Sequence, residues 1–525
     1  MKSTFAICFG FLMLALPVSA QRGASPPATN PAPILSAQQL RALEAHIEQV
    51  RQQWEVPGLA VTIVQGDSVV FARGYGVKEV GKPDRVDENT LFAIGSSGKS
   101  MTAAVISMLV DEGKMKLDDP VWKYLPGFRV ADPYVSREAT IRDLLSHRTT
   151  LENADLVWYG ATLTRAEIIE RLRHLKLSAS FRSRFLYNNL MLMVAGEAAA
   201  AAGGRPWESL VRERLFTPLA MASSLSNPQE LTAESNVATP HTIVQGKVVP
   251  VAHRDTRNIA PAGAQYSSAR DMAQYLRFQL GNGAYRGKRI VSEASMAEMR
   301  SVISSNGGPV FLTDSTATGL GYGLGWFTEY FRGHRLLRHG GAIDGMLTEM
   351  MFLPEDQIGV VILTNKSPHT MHTALTNHIF DVALRLTERD WNGQAFTRMK
   401  AQEAQAAERL KTMESQRAQN APPSLPIDKF AGTYSDSLFG EVRVALENGS
   451  LMLRYHPTFV AKLEPWQYNT FRLVWQTSSA FAGSLSFATF DLDATGKPME
   501  LRLEGIGTFR APPPPQGRGG RGGGP

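Results

Sequence analysis

Segments patterned as β-strand occur on both sides of one long helical stretch, and that arrangement limits the folds open to this chain. Leu59 to Val64 and Val69 to Ala72 read as paired strands around Gly66-Asp67. Strand patterning returns at Tyr322 to Trp326, Leu336 to His339, Met346 to Leu353 and Ile358 to Leu363. Between them, from about Asp118 to Arg300, the chain reads as helices and loops, with a capped helix start at Ser268-Ala269-Arg270-Asp271. The two sets of strands are therefore expected to share one sheet, and the helical stretch becomes an insertion forming its own lobe. A helix runs from Ser36 to about Trp54 and is stopped by Val56-Pro57-Gly58. A second, starting near Ser96, is apolar on most sides (Met101, Ala104, Val105, Met108), so it is expected to be central and buried.

The remaining organisation follows from composition. Residues 1–20 read as a secretory signal, with Lys2 before an apolar run from Phe5 to Leu16 and small residues at Val18-Ser19-Ala20. That run is too short for a stable membrane span. The sole cysteine, Cys8, lies inside it, so the exported protein is expected to lack disulfides and thiolate chemistry and to suit a periplasm or the extracellular medium. Residues 21–35 form a Pro/Ala/Ser linker, 36–385 the main domain, and 386–426 a charged helical linker closed by Ala421-Pro422-Pro423. Residues 427–510 change character. Val442, Val444 and Leu446 alternate, as do Leu451, Leu453 and Tyr455, with Asn448-Gly449 as a hairpin signal between the two sets. This is expected to be a small separate all-β domain, followed by a disordered Pro/Gly/Arg tail at 511–525. Net charge is +6 without a basic run interleaved with aromatics, so nucleic-acid binding is not supported.

Three patterns carry the chemistry. Lys99 is the one lysine with serine three places before it, in Ser96-Ser97-Gly98-Lys99. Tyr187 is the one tyrosine with asparagine two places after it, in Tyr187-Asn188-Asn189, and among eleven histidines only His339 precedes glycine, in His339-Gly340-Gly341. A helix puts Ser96 and Lys99 on one face. A serine hydroxyl needs a neighbouring proton acceptor to become a nucleophile. A buried lysine that has lost its proton, or a tyrosine held as phenolate, would serve, and the sequence leaves open which. The Asn189 amide is suited to holding the Lys99 ammonium and a substrate carbonyl. Gly340 and Gly341 let a substrate backbone lie against the strand, and the Ala342 and Ser96 amides are placed to hold an oxyanion. The rival reading of Gly98-Lys99-Ser100 as a phosphate loop fails, because position 93 is alanine where that motif needs glycine.

In these motifs the chain resembles the serine β-lactamase and penicillin-binding-protein superfamily, in its class C β-lactamase, esterase and D-aminopeptidase branch. Leu117-Asp118-Asp119-Pro120, Leu144-Leu145-Ser146-His147, Tyr322-Gly323-Leu324-Gly325-Trp326 and Val360-Val361-Ile362-Leu363-Thr364-Asn365 are also similar to that branch. The resemblance implies an α+β fold: a mainly antiparallel sheet flanked by helices, with a helical lobe and the site at their junction. Residues 427–510, with Leu463-Glu464-Pro465-Trp466, resemble a lipocalin-like, barrel-like accessory domain. The implied activity is hydrolysis of an ester, a D-residue peptide or a β-lactam through an acyl-enzyme on Ser96. Lys99 and Tyr187 would move protons, Asn189, His339, Gly340, Gly341 and Ala342 would bind substrate, and no metal or cofactor is implied. The alternative is a penicillin-recognising or peptidoglycan-binding sensor that acylates without turnover.

Departures from the family pattern bear on substrate. Gly98 stands where a third small hydroxyl is usual, Phe181-Arg182-Ser183-Arg184 where Pro-Gly precedes the tyrosine, and Thr149-Thr150 where Ser-Gly follows His147. Histidine replaces the usual lysine at 339, and a mostly neutral imidazole favours esters or peptides over β-lactams. Arg335 and Arg338 are the candidates for restoring the missing charge. His147 is expected to be structural, as are His369, His372 and His378.

Overall fold

The structure, a computed structural model, describes residues 34–305, 317–476 and 485–512. The expected signal segment, most of the 21–35 linker and nearly all of the tail lie outside the described residues.

Helix α1 (Ala37–Gln53) opens on a capping box in which the Ser36 side chain accepts from the Gln39 amide and Gln39 reaches back. Strands β1 (Gly58–Gln65) and β2 (Ser68–Gly76) follow as an antiparallel pair. The chain between the two strand sets supplies α2 (Lys99–Asp111), α3 (Asn189–Gly203) and α4 (Ala269–Leu280). The second strand set is β3 (Ala317–Tyr322), β4 (Phe327–Phe331), β5 (His334–Ile343), β6 (Met346–Leu353) and β7 (Ile358–Thr364). All seven join one antiparallel sheet in the order β2-β1-β7-β6-β5-β4-β3. The separated strand sets meet where β1 pairs with β7, Leu59 opposite Thr364 and Gln65 opposite Ile358.

Both faces of that seam are covered, which is why β1 is buried along its whole length and reads as an unbroken apolar run. Leu59, Val61 and Ile63 pack with α1 and with α5 (Met371–Ala383). Ala60 and Val64 face the opposite way, into a core shared with α2, α3 and α4. Every residue of α2 from Lys99 to Leu109 is buried, as its all-round apolar pattern requires.

One expected strand is broken. Gly323 to Trp326 form a turn between β3 and β4 rather than a continuation of Tyr322. Gly325 has φ +77°, and a Cβ there would lie 2.9 Å from the Ser100 Cα. The turn thus presses against α2, and its glycine is needed twice over.

Beyond α6 (Trp391–Gln416), eight strands from Gly432–Asp436 to Gly507–Arg510 close into an antiparallel barrel in simple sequence order. The Asn448-Gly449 turn has φ +49° and +75°, the two positive values of a type I′ hairpin. The barrel sits against the lobe. Tyr455 donates its hydroxyl to the Leu156 carbonyl (3.0 Å), Arg254 donates to Thr458 Oγ1 (2.9 Å), and the rings of Tyr159 and Phe459 lie 5.6 Å apart.

Candidate active site

Ser96 lies in a single turn of 3-10 helix, Gly95–Gly98, that leads into α2. The helix proper starts at Lys99 rather than at Ser96, so the hydroxyl projects from the mouth of a buried helix. Lys99 Nζ is 2.8 Å from Ser96 Oγ and 2.6 Å from the Ala262 carbonyl oxygen. Thr102, one turn on, donates to the Pro261 carbonyl (2.6 Å), so two adjacent carbonyls hold this face of α2. Burial lowers the Lys99 pKa to about 7, against a raising influence of the Asp155 carboxylate.

Tyr187 sits just before α3, and the Lys99 ammonium lies 4.9 Å from the centre of its ring. Burial raises the phenol well above its usual range. The two candidate bases are therefore pushed in opposite senses by the same dry pocket: the amine toward its neutral form, the phenol away from its anion. His147 lies behind the phenol, ring centres 4.3 Å apart, and its Nδ1 accepts the Asn188 amide at 3.1 Å.

Strand β5 runs past Ser96. Ser97 donates its hydroxyl to the His339 carbonyl (2.9 Å), which joins the first motif to the third. A Cβ on Gly341 would fall 1.9 Å from the Ile94 oxygen and 3.1 Å from the Ser96 amide nitrogen, and one on Gly95 would fall 2.7 Å from the Ala342 nitrogen. Backbone contact this close sets the Ser96 turn directly against β5 at Gly341 and Ala342. Gly340 has no contact closer than 3.5 Å at its Cβ position and is not confined in this way. His339 is buried, 3.0 Å from the Tyr322 hydroxyl through Nε2 and 2.7 Å from the Gly340 oxygen through Nδ1. Burial, with Lys99 and Arg338 nearby, lowers its pKa to about 3, so it is a neutral ring at physiological pH.

Two sequence expectations are corrected here. Asn189 does not hold Lys99; its amide nitrogen lies 3.0 Å from both carboxylate oxygens of Asp155, and Lys99 bonds the Ala262 carbonyl instead. Neither arginine of β5 supplies charge to the site. Arg338 alternates with His339 onto the far face, where it meets Glu329 at 2.8 Å and Glu349 at 3.8 Å. Arg335 donates to the Arg300 carbonyl (3.0 Å) and to Glu355 (3.4 Å). His369, His372 and His378 also lie beyond that far face: His372 is 3.6 Å from Glu349, and His378 stacks on His46.

The departures from the family pattern have local causes. A Cβ on Gly98 would lie 1.9 Å from Gln265 Oε1, so the Gln265 side chain occupies the space of the usual hydroxyl. Arg182 forms an ion pair at 2.6 Å with the buried Asp143, which Arg148 also contacts, so a charged clamp replaces the usual Pro-Gly turn. Thr150 takes the usual glycine's left-handed backbone, φ +56°, with its hydroxyl 3.0 Å from the Ser180 oxygen.

Sequence reasoning missed Asp155, Ala262 and Gln265. Asp155 opens a 3-10 turn, Ala262 lies in a one-turn helix and Gln265 just follows it, and none stands in a local pattern that points to the site. A cleft of about 1240 Å³ opens from Asn189 and Ala342 outward, bounded by Asp155, Arg254 and Asp344 and, from the barrel, by Phe439, Pro457 and Thr458.

Residues 43–384 match the family model described as Beta-lactamase, and 416–514 match a domain of unknown function, DUF3471. The chain is 28% identical over 414 residues to the unguisins hydrolase ungD' of Aspergillus campestris, covering 74% of each chain. It is 29% identical to penicillin-binding protein 4 of Amycolatopsis lactamdurans over 61% of this chain and 84% of that one. To the D-alanyl-D-alanine-carboxypeptidase/endopeptidase AmpH of Escherichia coli it is 25% identical, over 63% and 85%. The octameric penicillin-binding protein homologue of Pyrococcus abyssi superposes with a TM-score of 0.59 at 21% identity, covering 90% of this chain and all of that one.

Proposed function

This chain belongs to the beta-lactamase family and is a serine hydrolase of that family, and on that premise we propose that it cleaves an amide or ester bond through an acyl-enzyme on Ser96. The observation that carries the proposal is the 2.8 Å approach of a fully buried lysine to the Ser96 hydroxyl, in a pocket that favours the neutral amine.

In the proposed sequence, neutral Lys99 Nζ takes the Ser96 proton as Oγ attacks the carbonyl carbon. The oxyanion forms against the Ser96 and Ala342 amides. Tyr187, a protonated phenol beside the Lys99 amine, passes a proton to the departing nitrogen or oxygen and is refilled from the Lys99 ammonium. Water then attacks the ester carbonyl as Lys99 takes its proton, and Lys99 returns that proton to Ser96 Oγ as the acid leaves, restoring the hydroxyl and the neutral amine. His339 takes part as a neutral ring that holds Tyr322. Export to a periplasm or to the medium belongs to the same proposal and rests on residues 1–20.

Three relatives are named as an unguisins hydrolase, a penicillin-binding protein and a D-alanyl-D-alanine-carboxypeptidase/endopeptidase, which supports acyl transfer but leaves three substrate classes. A panel of a short-chain ester, a D-amino-acid amide and a chromogenic cephalosporin separates them. Ser96→Ala is expected to lower every measurable turnover by at least roughly a thousandfold while leaving thermal unfolding unchanged. Transient mass labelling of Ser96 with product release supports the hydrolase. A lasting adduct supports a sensor, and turnover retained by Ser96→Ala refutes the assignment.

A further inference from the structure

The charges lining the cleft do not balance, and the imbalance falls on one side chain beside the reacting groups. Three arginines line it, and each is neutralised in place. Arg254 pairs with Asp344 at 2.5 Å, Arg257 with Asp255 at 2.7 Å, and Arg165 with Glu208 at 2.7 Å. The fourth lining acid, Asp155, has only neutral donors: Asn189 Nδ2 at 3.0 Å, Trp158 Nε1 at 2.8 Å and Asn153 Nδ2 at 3.3 Å. Among the described residues it forms no ion pair with a lysine, arginine or histidine. Its charge is nevertheless felt at both Lys99 and Tyr187, the two groups that flank Ser96.

Apart from Lys99 itself, β5 brings no compensating cation to the site among the described residues. His339 is neutral, and Arg335 and Arg338 are spent on Glu355, Glu329 and Glu349. A substrate carboxylate entering this cleft would meet a fixed negative charge and no free positive one. A substrate ammonium would find a carboxylate already oriented by three N–H groups, with little reorganisation left to pay. The carboxylate is also half-buried, so its attraction is less screened than at an open surface.

We propose that Asp155 is the recognition point for a protonated amine on the substrate, within a few bonds of the scissile carbonyl. The enzyme then selects amine-bearing amides or esters over neutral ones, and both over carboxylate-bearing ones. This deepens the hydrolase reading above and rests on it. It also separates the chain from any relative that must hold a terminal carboxylate next to the scissile bond.

The test compares p-nitroanilides or p-nitrophenyl esters matched in size. One set has a free amine on the acyl half against a methyl in its place, a second has the amine on the leaving half, and a third has a carboxylate. The readout is the ratio of kcat/KM for amine-bearing to neutral substrate, in the wild type and in Asp155→Asn. Any effect of the substitution on Lys99 or on folding is common to both substrates and cancels in the ratio. The proposal expects that ratio to fall roughly tenfold to a hundredfold in Asp155→Asn for one of the two amine positions, as for loss of a charged hydrogen bond. It also expects carboxylate-bearing substrates to gain relative to neutral ones. An unchanged ratio at both amine positions, with both substrates slowed alike, overturns the subsite and leaves Asp155 as a positioning residue for Lys99. Absence of turnover and of any Ser96 adduct in the wild type instead removes the hydrolase reading, and the subsite with it.

Discussion

If Ser96 is the nucleophile proposed above, burial of the Lys99 amine sets the pH range in which it is activated. The amine must be neutral to accept a proton, and its pKa is about 7, so kcat/KM for a neutral substrate is expected to rise with pH through that value and then level off. Lys99→Arg keeps the charge but cannot give up its proton, and is expected to be inactive across the whole range. A pH profile flat between 5 and 9 would instead point to a base that is not Lys99. The same scale explains Gly98. Adding a methyl there sets it 1.9 Å from Gln265 Oε1, and Gln265 is itself held by its Nε2 bond to the Ala260 carbonyl (3.1 Å). Gly98→Ala should cost about 1–3 kcal/mol as overpacking. Adding Gln265→Ala should return part of that, giving a favourable coupling above about 0.5 kcal/mol in a denaturant double-mutant cycle. Strict additivity would show that Gln265 is not what excludes a larger residue.

At the scale of elements, the site is an agreement between the Ser96 turn and β5, and Gly341 is where the two backbones touch. No rotamer relieves a Cβ set 1.9 Å from a backbone oxygen, so Gly341→Ala must move β5 away from Ser96. Because displacements near 1 Å are costly to catalysis, a fall of about a hundredfold in kcat/KM is expected, alongside a modest loss of thermal stability. Activity within tenfold of wild type would mean that the Ala342 amide is not part of the machinery. This is also the scale at which sequence reading succeeds and then stops. The β1 and β7 runs are apolar throughout because both faces are covered, and the barrel alternation is plain because only its interior is. Tyr322 to Trp326 has the apolar content of a strand, but Gly325 bends it against α2, a contact with no local signature. Asn189 illustrates the same limit. Its place in the motif was legible, but its partner was not, because Asp155 arrives from a loop 34 residues away.

For the molecule as a whole, the barrel is fastened to the wall of the cleft, and Arg254 is the main fastening. Its guanidinium pairs with Asp344 at the end of β5, donates to Thr458 of the barrel, and stacks on Tyr159 and Phe459. Both charged side chains are nearly enclosed, 7% and 12% exposed. Removing only one of a buried pair strands the other, so Arg254→Met is expected to cost about 3–5 kcal/mol, whereas Arg254→Met with Asp344→Leu should recover most of it. Denaturant unfolding of the wild type, the two single variants and the double variant gives the four values needed. If the charge pair only stabilises, the double variant will process small and bulky substrates in the wild-type proportion. If it also holds the barrel's Thr458 and Pro457 as the rim of the cleft, the double variant will gain on bulky substrates relative to small ones, because stability has been restored while the Arg254 to Thr458 tie has not. The geometry favours the second outcome, since Tyr455 and His456 of the barrel also hold the Leu156 carbonyl, at 3.0 and 3.1 Å, one residue from Asp155. An unchanged ratio of bulky to small substrate in the refolded double variant would assign the barrel a role away from substrate choice.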